Sequence, residues 1–271
     1  MIIVIRTSKT YNEIGDMNSR TKIKFYSLLF LGIVTACFLF GYHLQNQLVS
    51  SYNRQNSNII LDRNGKIISL EQNSSGYYAQ YLERLSPRFE ELLTQKEDTY
   101  FYYHFGLNPW SAMQATLHQF GIGKRKASST ITQQLVKVLL AHESDRILKN
   151  KIIELFYALS LELYRNKKEI LAMYANTVYL GNQTQGFKEA SQLYFGVDIE
   201  FLTDAQTLQL LASINQPTNN NPAEPSNKDS AFALSKKLGL QITQTDLSDS
   251  KQVRQQTKKR VHQTSTLFEL A

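Results

Sequence analysis

The chain has 271 residues, of which 42% are hydrophobic, and it carries a formal net charge of +7 with its histidines neutral. This length accommodates one domain of ordinary size with an appendage, and the hydrophobic fraction is that of a folded chain, which excludes general disorder. The single cysteine, Cys37, excludes a disulfide framework and a cysteine-built metal site, while the excess of Lys and Arg indicates an anionic partner.

The first predicted element is a membrane-spanning helix. The run from Phe25 to Tyr42 has no charged residue and is about the length that crosses a bilayer. Basic residues immediately precede this run, whereas the next basic side chain after it, apart from a histidine, is Arg54. The positive-inside rule therefore places the N-terminus, which starts at Met1 or at Met17, in the cytoplasm. A cleaved signal peptide is the alternative, although no small-x-small cleavage site follows the run.

The next segment is polar and then changes to an extended pattern. Residues 43–57 are rich in Gln, Asn and Ser, which predicts a stalk. Within residues 58–70, two β-type runs flank Asn64-Gly65, a pair typical of a tight hairpin turn. We therefore expect one small β-hairpin between the stalk and the rest of the chain.

From Pro87 onward the spacing of apolar residues predicts helices. The predicted helical segments are residues 88–95, 108–120, 128–141, 144–165, 167–180, 186–196 and 202–214. Beyond Pro222 the chain is polar and basic, with one weaker helical pattern over residues 230–240. These patterns predict a mainly α domain.

Familiar metal and nucleotide motifs are missing from the sequence. It has no HExxH or other paired-histidine spacing, so we expect no zinc site built from protein ligands. It has neither GxxxxGK[ST] nor GxGxxG, so nothing predicts a nucleotide site.

Three polar segments carry the candidate chemistry: residues 96–106, 127–137 and 146–154. Each segment alone is compatible with a helix start or a solvated helix face. Together they supply two carboxylates, several cations and amide donors. Such a set suits a glycosyl phosphate, because carboxylates can transfer protons and cations can stabilise a leaving pyrophosphate.

These segments resemble, in their order and spacing, the peptidoglycan glycosyltransferases of family 51. The family includes monofunctional transglycosylases and the first catalytic domain of bifunctional penicillin-binding proteins. The segments similar to its four successive motifs are EDTYFYYHFG, ASSTITQQLVK, RILKNKIIE and KKEILAMYAN. The resemblance extends over residues 58–253. Its DRNGK turn resembles the beginning of a bifunctional protein's domain, but no transpeptidase motif follows, so we expect a monofunctional chain.

The resemblance implies a mainly α fold, a lysozyme-like helical glycosyltransferase lobe with a membrane-facing jaw. A small N-terminal β-hairpin and a single N-terminal transmembrane helix precede the lobe, and Trp110–Arg125 falls at the jaw. The expected organisation is a cytoplasmic N-terminus (1–24), a transmembrane anchor (25–42), a stalk (43–57), the glycosyltransferase domain (58–253) and a polar tail (254–271).

The resemblance also implies a reaction. The family polymerises lipid II into β-1,4-linked glycan strands, with inversion and release of undecaprenyl pyrophosphate. Glu97 matches the general base, and Glu154 matches the second essential carboxylate, near the pyrophosphate or a divalent cation. The residues that match substrate-binding positions are Ser129, Gln133, Gln134, Lys137, Arg146, Lys151 and Asn176. The residues that match supports of the first motif are Asp98, His104 and Gly106.

The resemblance implies partners and a location as well. The expected partners are lipid II, the growing glycan chain, the cytoplasmic (inner) membrane and a separate transpeptidase or other cell-wall synthesis proteins. The catalytic domain would lie on the outer, periplasmic face, so no nucleic acid partner is expected. The resemblance implies no certain cofactor and leaves open a divalent cation, Mg²⁺ or Mn²⁺, near the pyrophosphate.

The sequence departs from the family pattern at several motif positions. Ala127 stands where Gly is usual, Asn150 where Arg is usual and Ala172 where Glu is usual, while Ala175 replaces Leu and Gln114 replaces Arg. These changes leave open a second hypothesis, a catalytically impaired family member that binds lipid II or cell-wall proteins as a scaffold. A third hypothesis is a lysozyme-like hydrolase or lytic transglycosylase. Because both proposed catalytic glutamates are retained, we expect an active polymerase.

Overall fold

The computed structural model describes residues 18–65, 67–108, 129–140 and 148–247. Within these parts the chain forms eight α-helices, which are α1 (Ser19–Asn53), α2 (Pro87–Glu97), α3 (Ile131–Leu139), α4 (Leu148–Tyr164), α5 (Lys167–Thr177), α6 (Phe187–Phe195), α7 (Asp204–Ser213) and α8 (Ser226–Lys237). The strands are β1 (Ile59–Leu61), β2 (Ile67–Leu70), β3 (Tyr78–Ala79) and β4 (Thr184–Gln185), and short 3₁₀ turns span Phe101–Tyr103, Ile199–Phe201 and Gln244–Asp246. This architecture confirms the mainly α prediction. The predicted helix 108–120 after its first residue, the jaw segment Trp110–Arg125 and the tail 254–271 lie outside the described residues.

Helix α1 fits a single membrane span. It has 35 residues, which corresponds to about 50 Å of helix. Among the described residues it is the one helix long and apolar enough to cross a bilayer, with a mean hydropathy of 2.0 over its most apolar part, none of which is buried in the protein. The predicted anchor, residues 25–42, lies inside this helix.

The outer end of α1 is packed against the domain and differs from the predicted polar stalk. Residues 43–53 continue the helix, and Leu44, Leu48 and Tyr52 are buried at i,i+4 spacing along one side of it. The Ser51 hydroxyl donates to the Leu139 carbonyl at 2.6 Å. The glutamines and asparagines between these positions make the segment polar in overall composition although its apolar residues are regularly spaced. Helix α1 therefore continues from the membrane anchor directly into contact with the domain, without a separate linker.

Helix α4 runs along α1 and meets the apolar run near its outer end. The Tyr164 hydroxyl donates to the Phe38 carbonyl at 2.6 Å, and the rings of Tyr164 and Tyr42 lie 5.7 Å apart, edge to face. These contacts bring the C-terminal end of α4 to the level of the predicted membrane span.

The core lies among α2 to α8, and the outer end of α1 packs against it. Helix α3 packs against both α4 and α5, and α8 packs against α7. Phe89 of α2 and Phe187 of α6 are fully buried, with ring centroids 4.8 Å apart in an edge-to-face arrangement. Tyr174 of α5 is equally buried. This arrangement holds the end of α2 and the start of α3 side by side.

The small β-structure agrees with the predicted hairpin. Strands β1 and β2 pair antiparallel, with Ile59 opposite Leu70. Between the strands the Asn64 backbone N–H donates to the Asp62 side chain at 2.8 Å, and Gly65 adopts a left-handed φ of 80° that favours glycine. A second pair, β3 and β4, is parallel and connects the segment before α2 with the loop after α5.

Candidate active site

Helix α2 places Glu97 inside the protein. The helix starts at the Ser86 cap, whose hydroxyl oxygen accepts the Phe89 N–H, and Pro87 occupies its first turn. Phe89 and Leu93 are buried at i,i+4 spacing, and Glu97 continues this stripe as the last helical residue. The side chain of Glu97 is therefore only 7% exposed although it carries a carboxylate.

Asp98 joins the end of α2 to the start of α3. Its carboxylate accepts the Ile131 backbone N–H at 3.0 Å and the His104 Nε2–H at 2.9 and 3.0 Å. The Thr130 hydroxyl adds a 2.8 Å bond to the Gly106 carbonyl. An acidic side chain at a helix N-terminus is favoured by the helix dipole. The predicted supporting residues therefore lie together at this junction.

Two neighbouring glutamines at the start of α3 have different partners. Gln133 completes a capping box with Thr130, so its side chain is used by the helix start. Gln134 donates to Glu97 Oε2 and to the Ser129 carbonyl, each at 3.2 Å. The Tyr174 hydroxyl donates to Gln134 Oε1 at 3.0 Å. Of the two, Gln134 is the one that contacts the proposed base.

A continuous chain of contacts connects the two predicted catalytic carboxylates. It begins with Glu97 and Gln134 and passes through Ser129. The Lys151 ammonium lies 3.4 Å from Ser129 Oγ and donates to Glu154 Oε2 at 2.9 Å. Glu154 is buried, whereas the Lys151 side chain is 53% exposed. Five residues that are far apart in the sequence therefore form one polar cluster, which we call the Glu97–Glu154 cluster.

Lys96 is a member of the site that the sequence analysis missed. Its ammonium pairs with Glu97 Oε1, and its side chain is only 9% exposed. Burial lowers the pKa of Lys96, the pairing with Glu97 opposes this, and the nearby Lys237 adds to the lowering. The available signal was its position: Lys96 lies four residues after the buried Leu92, on the inward side of α2.

Tyr174 is a second missed member of the site. It lies in the fourth motif and is fully buried under Gln134. Burial raises the pKa of the Tyr174 hydroxyl well above its usual value, and the charge of Glu97 adds to this. Tyr174 is therefore a permanent hydrogen-bond donor that fixes the Gln134 amide with its N–H towards Glu97.

A buried ion pair supports the aromatic part of the first motif. Glu162 Oε1 accepts the Thr132 hydroxyl at 2.6 Å and the Lys167 ammonium at 2.8 Å. The same ammonium lies 4.5 Å from the centre of the Phe101 ring. At Gly106, φ is 73° and a Cβ would lie 3.0 Å from Glu162 Cγ, so glycine suits both the backbone and the space.

The aromatic residues of the first motif divide between the core and the surface. Phe101 is fully buried, whereas the other aromatic side chains of this segment are exposed: Tyr100, Tyr102, Tyr103 and Phe105.

The remaining predicted substrate-binding residues lie in different places. Lys137 is exposed in the last turn of α3 and has no ion pair within the described parts of the chain. Asn176 is buried, with its amide donating to the Tyr52 hydroxyl at 2.7 Å and to the Leu82 carbonyl at 2.8 Å. Its contacts hold α1 against the domain and are not part of the Glu97–Glu154 cluster. Arg146 lies outside the described residues.

Some of the positions at which the sequence departs from the family motifs lie within the described residues. Ala172 and Ala175 are buried in α5, so the positions that usually hold Glu and Leu are filled here by small side chains. Ala127 and Gln114 lie outside the described residues.

The described residues contain no cluster of three or more His, Cys, Asp or Glu side chains.

Comparisons with known proteins show the family to which this chain is similar. The Transglycosylase family model matches residues 64–238. The chain is 30% identical over 255 residues to penicillin-binding protein 1A/1B of Bacillus subtilis (strain 168), covering 88% of this chain and 27% of that protein. It is 31% identical over 217 residues to penicillin-binding protein 1A of Streptococcus oralis, covering 75% and 34%.

A third relative, penicillin-binding protein 1A of Aquifex aeolicus (strain VF5), is 28% identical over 177 residues, which covers 65% of this chain and 24% of that protein. The chain thus spans about a quarter to a third of the length of these relatives. The family model covers more than half of the chain, from the hairpin turn to just beyond α8. This chain therefore belongs to the transglycosylase family.

Proposed function

We propose that this chain is a peptidoglycan glycosyltransferase that polymerises lipid II into β-1,4-linked glycan strands, with Glu97 as the general base. The observation that carries the proposal is the Glu97–Glu154 cluster, in which two buried carboxylates are connected through Gln134, Ser129 and Lys151. The cluster lies in a domain that is packed directly on a helix suited to span a membrane. Membership of the transglycosylase family supports the same reaction.

In the proposed step, Glu97 takes the proton of the acceptor sugar's 4-hydroxyl while that oxygen attacks the anomeric carbon of the donor. The bond from the anomeric carbon to the pyrophosphate oxygen breaks, and its electron pair leaves with undecaprenyl pyrophosphate. Attack opposite to the leaving group inverts the anomeric configuration. A carboxylate has roughly four lone-pair sites. Lys96 and Gln134 occupy one on each oxygen, so Glu97 can still accept the acceptor hydroxyl.

Cations near the second carboxylate suit the leaving group. The pyrophosphate gains negative charge in the transition state, which fixed positive charges stabilise. Lys151 is half-exposed and held by Glu154, and Lys137 is exposed, so both can meet a phosphate that arrives from solvent. We assign Arg146 the same role from the family pattern. If a divalent cation binds with the substrate, Glu154 is the carboxylate that would hold it.

The proposed substrate is carried by a lipid, and the surface next to α1 suits this. Ile152, Phe156 and Leu163 are exposed on α4 at spacings that place them on one side of the helix. Because the end of α4 contacts Phe38 and Tyr42, the Leu163 end of this stripe lies close to the outer end of the membrane span. We infer that this end of the stripe rests in the membrane interface while α1 crosses the bilayer once, with the domain outside the cytoplasm.

The orientation can be tested with a reporter enzyme fused after Ala271. An alkaline phosphatase fusion, which is active only outside the cytoplasm, is expected to be active, and a cytoplasmic reporter at the same position is expected to be inactive. The opposite pair of results would contradict the proposed orientation. A fusion of each reporter after Ser19, ahead of the apolar run, provides the matched control and is expected to give the reverse pattern.

The activity can be tested by incubating the purified full chain with fluorescently labelled lipid II in detergent. We expect glycan polymers that muramidase degrades, together with release of undecaprenyl pyrophosphate. Binding of lipid II without polymer would favour the scaffold hypothesis, to which the replacement of motif residues by Ala172 and Asn150 points. Release of fragments from finished peptidoglycan would instead indicate a hydrolase.

The Glu154→Gln variant is expected to lower the initial rate of polymerisation at least about tenfold. The change removes the charge that holds Lys151 and leaves the ammonium less well positioned for the pyrophosphate. Glu83→Gln, which neutralises an exposed glutamate in the loop before α2, is the matched control and is expected to keep the wild-type rate. Equal rates for the wild type and Glu154→Gln would remove Glu154 from the proposed mechanism.

A further inference from the structure

Lys96 and Glu97 form an unusual pair of charged residues at the end of α2. Neighbouring residues on a helix ordinarily point in different directions, but here the ammonium of Lys96 bends back to Glu97 Oε1. Both side chains are less than one-tenth exposed. Each charge is therefore removed from water, and each has the other as its counter-charge.

Burial alone works against the role that we propose for Glu97. Removal of a carboxylate from water disfavours its charged form, so a buried glutamate without a cation takes up a proton at higher pH than an exposed one. A protonated glutamate cannot act as a general base. The Gln134 N–H stabilises the charge at one oxygen, but an amide carries no net charge that could balance a buried anion.

We propose that Lys96 is a positioning residue for the base: its ammonium is the counter-charge that lets the buried Glu97 carboxylate remain charged, as a general base must be. This inference rests on the proposed function, since it concerns the residue that we propose as the base.

The other groups around this pair are consistent with such a role. Gln134 of α3 and Tyr174 of α5 face Glu97, and neither carries a charge. The Gln134 amide does not ionise, and burial raises the pKa of the Tyr174 hydroxyl, which therefore stays protonated. Lys237 at the end of α8 is close enough to Lys96 to lower its pKa, yet it is exposed to solvent, which weakens its effect on Glu97. Among the described residues, Lys96 is therefore the cation that directly balances Glu97.

The inference predicts a specific change in the pH dependence of activity. Lys96→Met keeps the length of the side chain and removes its charge, so burial of Glu97 is no longer compensated. The acid limb of the kcat/KM profile is expected to move to higher pH by about one unit or more. A cation in direct contact with a carboxylate typically lowers the pKa of that carboxylate by at least this amount, and the variant lacks the cation. At pH values below the acid limbs of both proteins, the kcat/KM of the variant would be at least about tenfold lower than that of the wild type.

Two further variants separate charge from structure. Lys96→Arg keeps the positive charge and is expected to retain an acid limb close to that of the wild type. Lys96→Gln can still donate a hydrogen bond but has no charge, so it is expected to shift the limb as Lys96→Met does, and it provides a second neutral side chain if Lys96→Met does not fold. Lys168→Met, at an exposed position on α5, is the control for loss of one positive charge and is expected to leave the profile unchanged.

The test is a set of kcat/KM profiles for lipid II polymerisation, measured with the purified full chain and its variants after thermal unfolding has shown that each is folded. Superimposed profiles for the wild type and both neutral variants would overturn the inference. An equal loss of rate at every pH would also overturn it, because that pattern indicates a structural role only. A wild-type chain without polymerising activity at any pH would instead refute the proposed function and is distinguishable from both of these results.

Discussion

Replacement of Asp98 by alanine is expected to lower the free energy of unfolding by about 3 kcal/mol or more, in the range found when one partner of a buried charged network is removed. The Asp98 carboxylate is 4% exposed and accepts bonds from the Ile131 backbone N–H and from His104. In the variant, both donors are left in the interior without their acceptor, and desolvated donors without partners are costly.

The same substitution is expected to reduce polymerisation at least about tenfold. Asp98 fixes the start of α3 against the end of α2, and Gln134 lies one turn into α3. A shift of α3 would move the Gln134 amide away from Glu97, and small displacements of catalytic groups are costly. The loss of activity would therefore accompany the loss of stability.

Thermal and denaturant unfolding in detergent, followed by circular dichroism, measures the stability effect. Asp98→Asn provides a graded comparison, because its amide oxygen can still accept the Ile131 N–H while the charge facing His104 is lost. Asp229→Ala, at an exposed position in the first turn of α8, is the control and is expected to cost less than about 1 kcal/mol. If Asp98→Ala cost no more than this control, the junction between α2 and α3 would not depend on Asp98.

Replacement of Glu97 by glutamine is expected to lower the initial rate of lipid II polymerisation by about 10²- to 10⁴-fold, the usual contribution of a general base. Glutamine has nearly the same shape and can still accept the Gln134 amide, so the packing at the end of α2 is retained. It cannot take the proton of the acceptor hydroxyl. Glu91→Gln, on the exposed side of the same helix, is expected to keep most of the activity.

The Glu97→Gln variant should also be somewhat less stable, because it leaves the Lys96 ammonium buried without its counter-charge. The double variant Glu97→Gln/Lys96→Met removes both charges and is expected to recover stability without recovering activity. A double variant that regained polymerisation, or a Glu97→Gln variant with more than about a tenth of the wild-type rate, would contradict the role of Glu97 as the base.

Much of the fold follows from patterns that are visible in the sequence. The apolar spacing within residues 88–95, the Asn64-Gly65 turn and the apolar run of α1 each have a local cause, and the structure contains the corresponding elements. Thr130 caps helix α3, and a threonine is a residue that helix starts favour. Local patterns do not show partners that are distant in the chain. Residues 43–57 were therefore predicted to be a stalk, whereas 43–53 form the packed end of α1.

The site was predictable to a similar extent. The resemblance indicated Glu97, Gln134, Ser129, Lys151 and Glu154, and the structure brings these residues into one cluster. Their catalytic roles stay predictions.

Other features of the site depend on tertiary contacts. The capping box occupies the side chain of Gln133, so Gln134 is the glutamine that contacts Glu97. The side chain of Asn176 donates to Tyr52 of α1 and so lies outside the cluster. The burial of Lys96 depends on elements around the end of α2, so its charge alone suggested an exposed side chain.

The central claim is that this chain itself, with Glu97 as its base, polymerises lipid II. The most direct measurement follows lipid II binding and polymer formation in the same reaction, for the purified wild type and for Glu97→Gln. The account predicts that both proteins bind lipid II and that the wild type alone converts it into muramidase-sensitive glycan strands. Equal binding by both proteins with no polymer from the wild type, or equal polymer from both, would contradict it.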